Sequence, residues 1–304
     1  MTTTPGNDSD SQGSEPVLDQ LIQWAEQQPS VRAMLLTSTR AVPGAPTDLF
    51  SDYDVILVLR DIQPFHSERA WQEAFGRVLA LYRDPLIPDR GLEHSAYVTQ
   101  FEDGLKIDFS LWPVERLKQI VAEPQLPAEL DAGYQILLDK DHLTDALKPP
   151  GYKAYIPTPP AEAEYQEVLE VFFLEAIYVA KLLWRDDLMA AKHVLDGYMK
   201  QEHLLPMLQW HVETEHQWSV KPGPYGRGLK RRLRPDLWAW LERSYTGAEV
   251  EANWAALFET IGLMRCVAEE VAERLGYHYP EDLERRVMAY VQKIRNLRRG
   301  ATHL

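Results

Sequence analysis

Cysteine is the scarcest resource of this sequence: Cys266 stands alone among 304 residues. One thiol closes no internal disulfide and builds neither an Fe–S cluster nor a cysteine-rich zinc site, and such usage suits a reducing compartment. Basic charge is also short, with Lys+Arg 32 against Asp+Glu 46 and a net charge of −14. The acidic excess falls almost wholly before residue 150, so no nucleic-acid partner is expected. No basic stretch leading into an apolar segment stands near Met1, and the most apolar run, Val168 to Trp184, is interrupted by Glu170, Glu175 and Lys181. Neither an export signal nor a membrane partner is expected; the run reads as a buried helix of a soluble, cytoplasmic protein. Several catalytic frames are missing as well. There is no Gly-x-Ser-x-Gly elbow, no HExxH pair and no glycine-rich phosphate loop, which sets aside serine hydrolases, zinc hydrolases and the P-loop and dinucleotide classes.

What is present falls into two halves. Residues 1–15 read as a loose polar tail. Pro149, Pro150, Pro157, Pro159 and Pro160 then crowd one segment with residues that donate no backbone hydrogen bond, which places a linker at 149–163. Before it, residues 16–148 mix helical stretches (LDQLIQWAEQQ and SERAWQEAFGRVLALY) with strand-like runs (VRAMLLT, YDVILVL, SAYVTQF and LKIDFSLW). After it, residues 164–299 repeat apolar positions at intervals of three and four, the spacing of helices packed in a bundle. An α+β chain is expected, with a mixed sheet and helices first and an all-α domain second. Trp184, Trp210 and Trp254 fall on the apolar stripes and read as core.

The stretch from Thr37 to Asp61 carries the chemistry. Asp52 and Asp54 are two apart at the start of an apolar strand, so both carboxylates leave the same face. Asp108, between Ile107 and Phe109, projects opposite to them on another strand. If the two strands are neighbours, three hard oxygen ligands converge, a set that suits Mg²⁺ shared with substrate phosphates. The turn Ser38-Thr39-Arg40 follows an apolar strand and offers hydroxyls, backbone N–H groups and a guanidinium to phosphate oxygens. Asp-x-Asp at a strand start is also a common turn or cap, and Lys181 near the end of an apolar helix can simply reach out to water.

VRAMLLTSTRAV, DLFSDYD and EDGLKIDF stand in the order of the IRA-apolar-GSRAN, D-x-F-x-DYD and DGxRIDL segments of the aminoglycoside 6-adenylyltransferases, also called streptomycin adenylyltransferases, and the chain resembles that family. LLDKD (137–141), YVAKLLWRDDLMAAKHVLD (178–196), LLPMLQWHV (204–212), GRGLKRRL (226–233) and NWAALFE (253–259) resemble its helical half. The resemblance implies a polymerase-β-like nucleotidyltransferase domain over 16–148 and a helical substrate-binding domain over 164–299. It implies Asp52, Asp54 and Asp108 as metal-binding and catalytic carboxylates for two Mg²⁺ ions, with ATP as co-substrate. Ser38, Thr39, Arg40 and Lys181 are then expected at the nucleotide, and Glu170, Glu175 and Tyr178 at a cationic aminoglycoside. The implied reaction moves AMP to an antibiotic hydroxyl, the 6-position of streptomycin. The alternatives are the same chemistry on another hydroxylated acceptor, or a degenerate nucleotide-binding protein without turnover.

Three positions depart from the family pattern. Ser38 replaces a glycine, the residue that most readily takes positive φ. Val171 stands where the family carries a glutamate, with Glu170 and Glu175 on either side, and Arg227 replaces a lysine.

Overall fold

The computed structural model describes residues 15–89, 91–219 and 221–303. Of the tail expected over 1–15, residues 1–14 lie outside the described residues, and Glu15 is the N-cap residue of the first helix. The chain divides into two compact units that meet in sequence at Ala154 and Tyr155.

The first unit runs α1 (Pro16–Gln27), β1 (Val31–Thr37), a 3₁₀ turn (Thr39–Ala41), β2 (Tyr53–Leu59), α2 (Gln63–Ser67), a 3₁₀ segment (Ala70–Phe75), β3 (Val78–Arg83), β4 (Ile87–Asp89), β5 (Leu92–Phe101), β6 (Lys106–Pro113), α3 (Val114–Ala122), α4 (Ala128–Asp131) and β7 (Tyr134–Asp139). The strands form one mixed sheet in the order β3-β5-β6-β2-β1-β7, with β4 pairing to β5. β2 and β6 run parallel, and the other pairs are antiparallel. β1 and β2 sit centrally and are buried on both faces, which is why their sequences are nearly continuous apolar runs. β6 alternates instead. Its Ile107, Phe109 and Leu111 enter a core shared with α1 and α2, where Trp71 and Phe75 meet Phe109 at ring distances of 4.9 and 5.3 Å. On the opposite face, Ile56, Val58 and Trp112 are covered by Val114, Leu117 and Ile120 of α3 and Leu130 of α4.

Two expectations are corrected here. The helix read through SERAWQEAFGRVLALY stops at Phe75, because Gly76 takes φ 145° and the chain turns into β3, whose Val78 pairs with Phe101 of β5. Its apolar residues recur at helical spacing, but a free partner edge on β5 decides the conformation. The LLDKD segment belongs to the sheet and not to the helical half. Leu137–Asp139 ends β7, and Lys140 Nζ donates to the carbonyls of Ala25 and Gln28 at 2.8 and 2.9 Å, closing the C-terminus of α1. Asp141 pairs with Arg32 of β1, and Asp139 accepts from the backbone N–H groups of Leu143 and Thr144. These residues clasp α1, β1 and β7 together.

The second unit is helical throughout its described residues: α5 (Glu162–Arg185), α6 (Leu188–Lys192), a π-helical stretch (His193–Leu204), α7 (Leu205–Glu215), a 3₁₀ turn (Pro224–Gly226), α8 (Leu229–Arg232), α9 (Pro235–Arg243), α10 (Val250–Leu275) and α11 (Glu281–Asn296). α5 buries Tyr165, Leu169, Phe172, Phe173, Ala176, Val179, Ala180 and Leu183 as a helical stripe. Tyr165 donates its hydroxyl to the Ala268 carbonyl of α10 at 2.9 Å, satisfying the polar end of a buried ring. Trp210 and Trp254 are buried, and Trp184, partly buried, packs against the same core, as their spacing implied. Among the described residues no helix is long and apolar enough to cross a membrane.

Candidate active site

Asp54 of β2 and Asp108 of β6 are direct partners in the parallel register, between Tyr53↔Ile107 and Val55↔Phe109. Neighbours in register project to the same face. That face continues into Ile56, Val58 and Trp112, so the two carboxylates stand at the N-terminal ends of their strands, next to the patch covered by α3 and α4. Thr37 of β1 pairs with Asp54 from the other side and donates its hydroxyl to the Asp54 carbonyl at 3.3 Å. Asp52, two residues before Asp54, joins through a residue that had drawn no attention in the sequence. Lys106 Nζ donates to an Asp52 carboxylate oxygen and to Asp108 Oδ2, the latter at 2.9 Å.

The electrostatics report the crowding. Burial first, then the neighbouring Asp108, push the Asp54 carboxyl up to about 6, with Asp52 adding repulsion and the Ser38 hydroxyl and Lys106 opposing it. Asp108 is raised as well, chiefly by burial, while Lys106 pulls it back. Asp108 Oδ1 is buried with no hydrogen-bond partner. Three carboxylates with mutual repulsion and one orphaned oxygen have the donor chemistry for Mg²⁺, which prefers hard oxygens and keeps several waters. Among the described residues no group of three or more His, Cys, Asp or Glu side chains is placed to hold a metal ion by itself. The residues present therefore fit a metal held in part by its substrate.

The Ser38 turn lies beside the acids. Ser38 has φ 63° and ψ −151°, a region that only glycine enters without strain, and its hydroxyl hydrogen-bonds Asp54. Ser38 thus stands in a backbone conformation of the glycine type. Relief of the strain, about 1–3 kcal/mol, offset by the extra unfolded-state freedom of glycine, predicts that Ser38→Gly stabilises the protein by about 1 kcal/mol. Urea unfolding reads this directly, and a loss of stability would mean that the hydroxyl on Asp54 outweighs the strain. Thr39 is exposed on the same turn.

Arg40, expected at a phosphate, is occupied by the chain itself. Its Nε and Nη2 donate to the Ser51 carbonyl, its Nε also reaches the Asp52 carbonyl at 3.1 Å, its Nη1 pairs with Glu15 at 3.0 Å, and its guanidinium lies 4.0 Å from the Tyr53 ring centre. It fixes the segment that carries Asp52.

The remaining candidates lie on α5 in the helical unit. Glu170 and Tyr178 are exposed and Lys181 half-buried, its ammonium 5.8 Å from the Tyr290 ring centre. Glu175 turns away from them, with Oε2 standing 3.2 Å from His203 Nε2 in the π-helical stretch. The approach is close enough for charge interaction, yet neither Glu175 Oε2 nor His203 Nδ1 has a hydrogen-bond partner. Burial raises the Glu175 carboxyl, and His203 opposes it.

A model of the streptomycin adenylyltransferase family matches residues 12–294. The chain belongs to that family. Members similar to it include the aminoglycoside 6-adenylyltransferase of Bacillus subtilis (strain 168), 26% identical over 283 residues that cover 92% of this chain and 97% of the relative. The Campylobacter jejuni aminoglycoside 6-adenylyltransferase is 26% identical over 276 residues, covering 87% and 90%. A crystal structure of an aminoglycoside 6-adenyltransferase from Bacillus subtilis aligns over 92% of this chain and 98% of its own at 23% identity, with a TM-score of 0.46. Family membership accords with the fold described above, a nucleotidyltransferase-type α+β arrangement of mixed sheet and helices followed by an all-α region. The spacing of Lys106, two before Asp108 on one strand face, was the signal that could have exposed it.

Proposed function

We propose that this protein transfers AMP from ATP to a hydroxyl of an aminoglycoside, streptomycin at its 6-position, and releases pyrophosphate in the cytoplasm. The observation that carries the reading is the in-register pairing of Asp54 with Asp108 beside Asp52. On this reading residues 16–148 form the nucleotidyltransferase domain, 149–163 the linker and 164–299 the substrate-binding domain. Asp52, Asp54 and Asp108 hold the Mg²⁺ ions, which when bound neutralise charge on the triphosphate and the departing pyrophosphate. The acceptor hydroxyl attacks the α-phosphorus, the new P–O bond forms as the bond to pyrophosphate breaks, and the hydroxyl proton passes to a carboxylate. Asp108 fits that role through its unpartnered Oδ1 and its raised carboxyl. Thr39 presents its hydroxyl to phosphate oxygens, Ser38 does so once its hydroxyl leaves Asp54, and Arg40 holds Asp52 in position for the nucleotide. On the family likeness Lys181 supplies a further cation to the phosphates, and Glu170, Glu175 and Tyr178 meet the cationic acceptor. The acidic N-terminal half favours such an acceptor by long-range attraction.

Pyrophosphate release from ATP tests the reading. Streptomycin is expected to trigger it and kanamycin is not, and a sensitive host expressing the chain is expected to survive streptomycin alone. Release only with other acceptors would move the reading to a different substrate. Tight ATP binding without release on any acceptor would leave a non-catalytic nucleotide binder.

A further inference from the structure

The unassigned residue at the site is Lys106. It begins β6, and because side chains alternate along a strand its stem lies on the same face as Asp108. In register with β2, this places a cation beside Asp52, where two of the three acids can reach it. An ammonium has three donors and no acceptor, so one lysine can serve both Asp52 and Asp108 at once. The neighbouring cation, Arg40, is turned to backbone carbonyls and Glu15 and does not share the task.

We propose that Lys106 is a positioning residue that works as an exchangeable internal cation: it holds Asp52 and Asp108 until a metal–nucleotide arrives, and then gives up the carboxylates for the phosphates. This rests on the reading of the acids as metal ligands. Lys106 holds one oxygen of each of two carboxylates that a divalent ion would draw on, so ammonium and metal compete for the same charge and a metal binding alone weakens the bridge. When the metal carries a triphosphate, the released ammonium, a point charge on a flexible four-carbon stem, finds new acceptors within reach. The loss on one side is then offset by a gain on the other, which couples metal binding to nucleotide binding. Free metal and free nucleotide bind weakly, and their complex binds well.

Manganese is the probe, its binding followed by electron paramagnetic resonance in wild type, Lys106→Gln and Lys106→Arg. Without nucleotide, the Gln variant is expected to bind Mn²⁺ about tenfold more tightly than wild type, equivalent to about 1.4 kcal/mol, because no ammonium need be displaced. The Arg variant is expected to bind like wild type. With a non-hydrolysable ATP analogue present the order reverses, and the Gln variant binds the complex more weakly. Equal or weaker Mn²⁺ binding by a folded Gln variant, with turnover still supported by streptomycin in wild type, overturns the exchange and leaves the functional reading standing. Failure of wild type and variant alike to bind Mn²⁺, with or without nucleotide, overturns both. A measurement on the unmutated chain guards against a variant that does not fold: amine acetylation of Lys106, read by mass spectrometry, is expected to accelerate several-fold when Mn²⁺ alone is added. Unchanged reactivity at saturating Mn²⁺ overturns the proposal.

Discussion

Asp54→Asn is expected to lower the streptomycin-dependent kcat/KM by about a thousandfold while raising the melting temperature of the protein. The two effects share one cause. Asp54 is ionised at neutral pH against burial and two neighbouring acids, which hold its carboxyl at about 6. An isosteric amide removes the buried charge and its repulsion with Asp108, worth about 3 kcal/mol of folding stability from the size of the shift. The same amide is a poor ligand for a hard cation, and losing several kcal/mol of charge stabilisation on a transferring phosphoryl group corresponds to about three orders of magnitude in rate. Steady-state pyrophosphate release and differential scanning calorimetry on the same preparation separate the outcomes. A variant less stable than wild type would mean that Asp54 is structural, and one as active would remove it from the metal site.

The second large effect lies in the helical unit. Lys200, in the π-helical stretch, has a side chain only 1% exposed, and its ammonium donates to Asp196 Oδ1 at 2.7 Å and to the Ser244 carbonyl, with the Tyr245 ring centre at 4.1 Å. Asp196 also holds Lys192 at 2.8 Å, so one carboxylate serves two lysines four residues before and after it. Asp196→Ala leaves a buried ammonium without its counter-ion, and breaking a pair of this kind typically costs about 3–5 kcal/mol. Urea unfolding of the whole chain should show that loss, and Asp196→Ala combined with Lys200→Met should recover most of it. The pH dependence has a definite sign. Burial pushes the Asp196 carboxyl up, but hydrogen bonds from Lys192 and Lys200 outweigh it and hold the group below the ordinary carboxylate range. Its contribution is complete above that ordinary range and is lost as the pH falls through the lowered value, so acid should destabilise wild type more steeply than the variant. Equal slopes would show that Asp196 does not couple to folding.

How much of this was legible in the sequence differs from element to element. Central strands announce themselves: VRAMLLT and YDVILVL have no solvent face, so their composition alone marks them. Asp54 and Asp108 were legible as a pair because alternation sets their faces, although only the fold could make β2 and β6 neighbours. β3 was not legible, since VLALYR is an edge strand whose apolar spacing also suits a helix; the open edge of β5 settled the matter. LLDKD misled for a different reason. Its lysine and aspartates tie together the ends of α1, β1 and β7, contacts between residues far apart in sequence that no local pattern displays. Arg40 looked like a free cation beside a phosphate turn, and its carbonyl partners at Ser51 and Asp52 become visible only when the intervening loop closes. The π-helical stretch gave no sign, because three-and-four spacing does not distinguish a wider turn from an ordinary one.

The parallel pairing of β2 with β6 has a consequence for how the molecule comes into being. An antiparallel hairpin can zip from its turn, but these two strands can meet only after the connecting chain of α2, the 3₁₀ segment and β3 to β5 has been made. A chain emerging from the ribosome therefore holds Asp54 long before Asp108 joins it, and the pairing of the two acids arrives late, as a checkpoint that half-made copies do not pass.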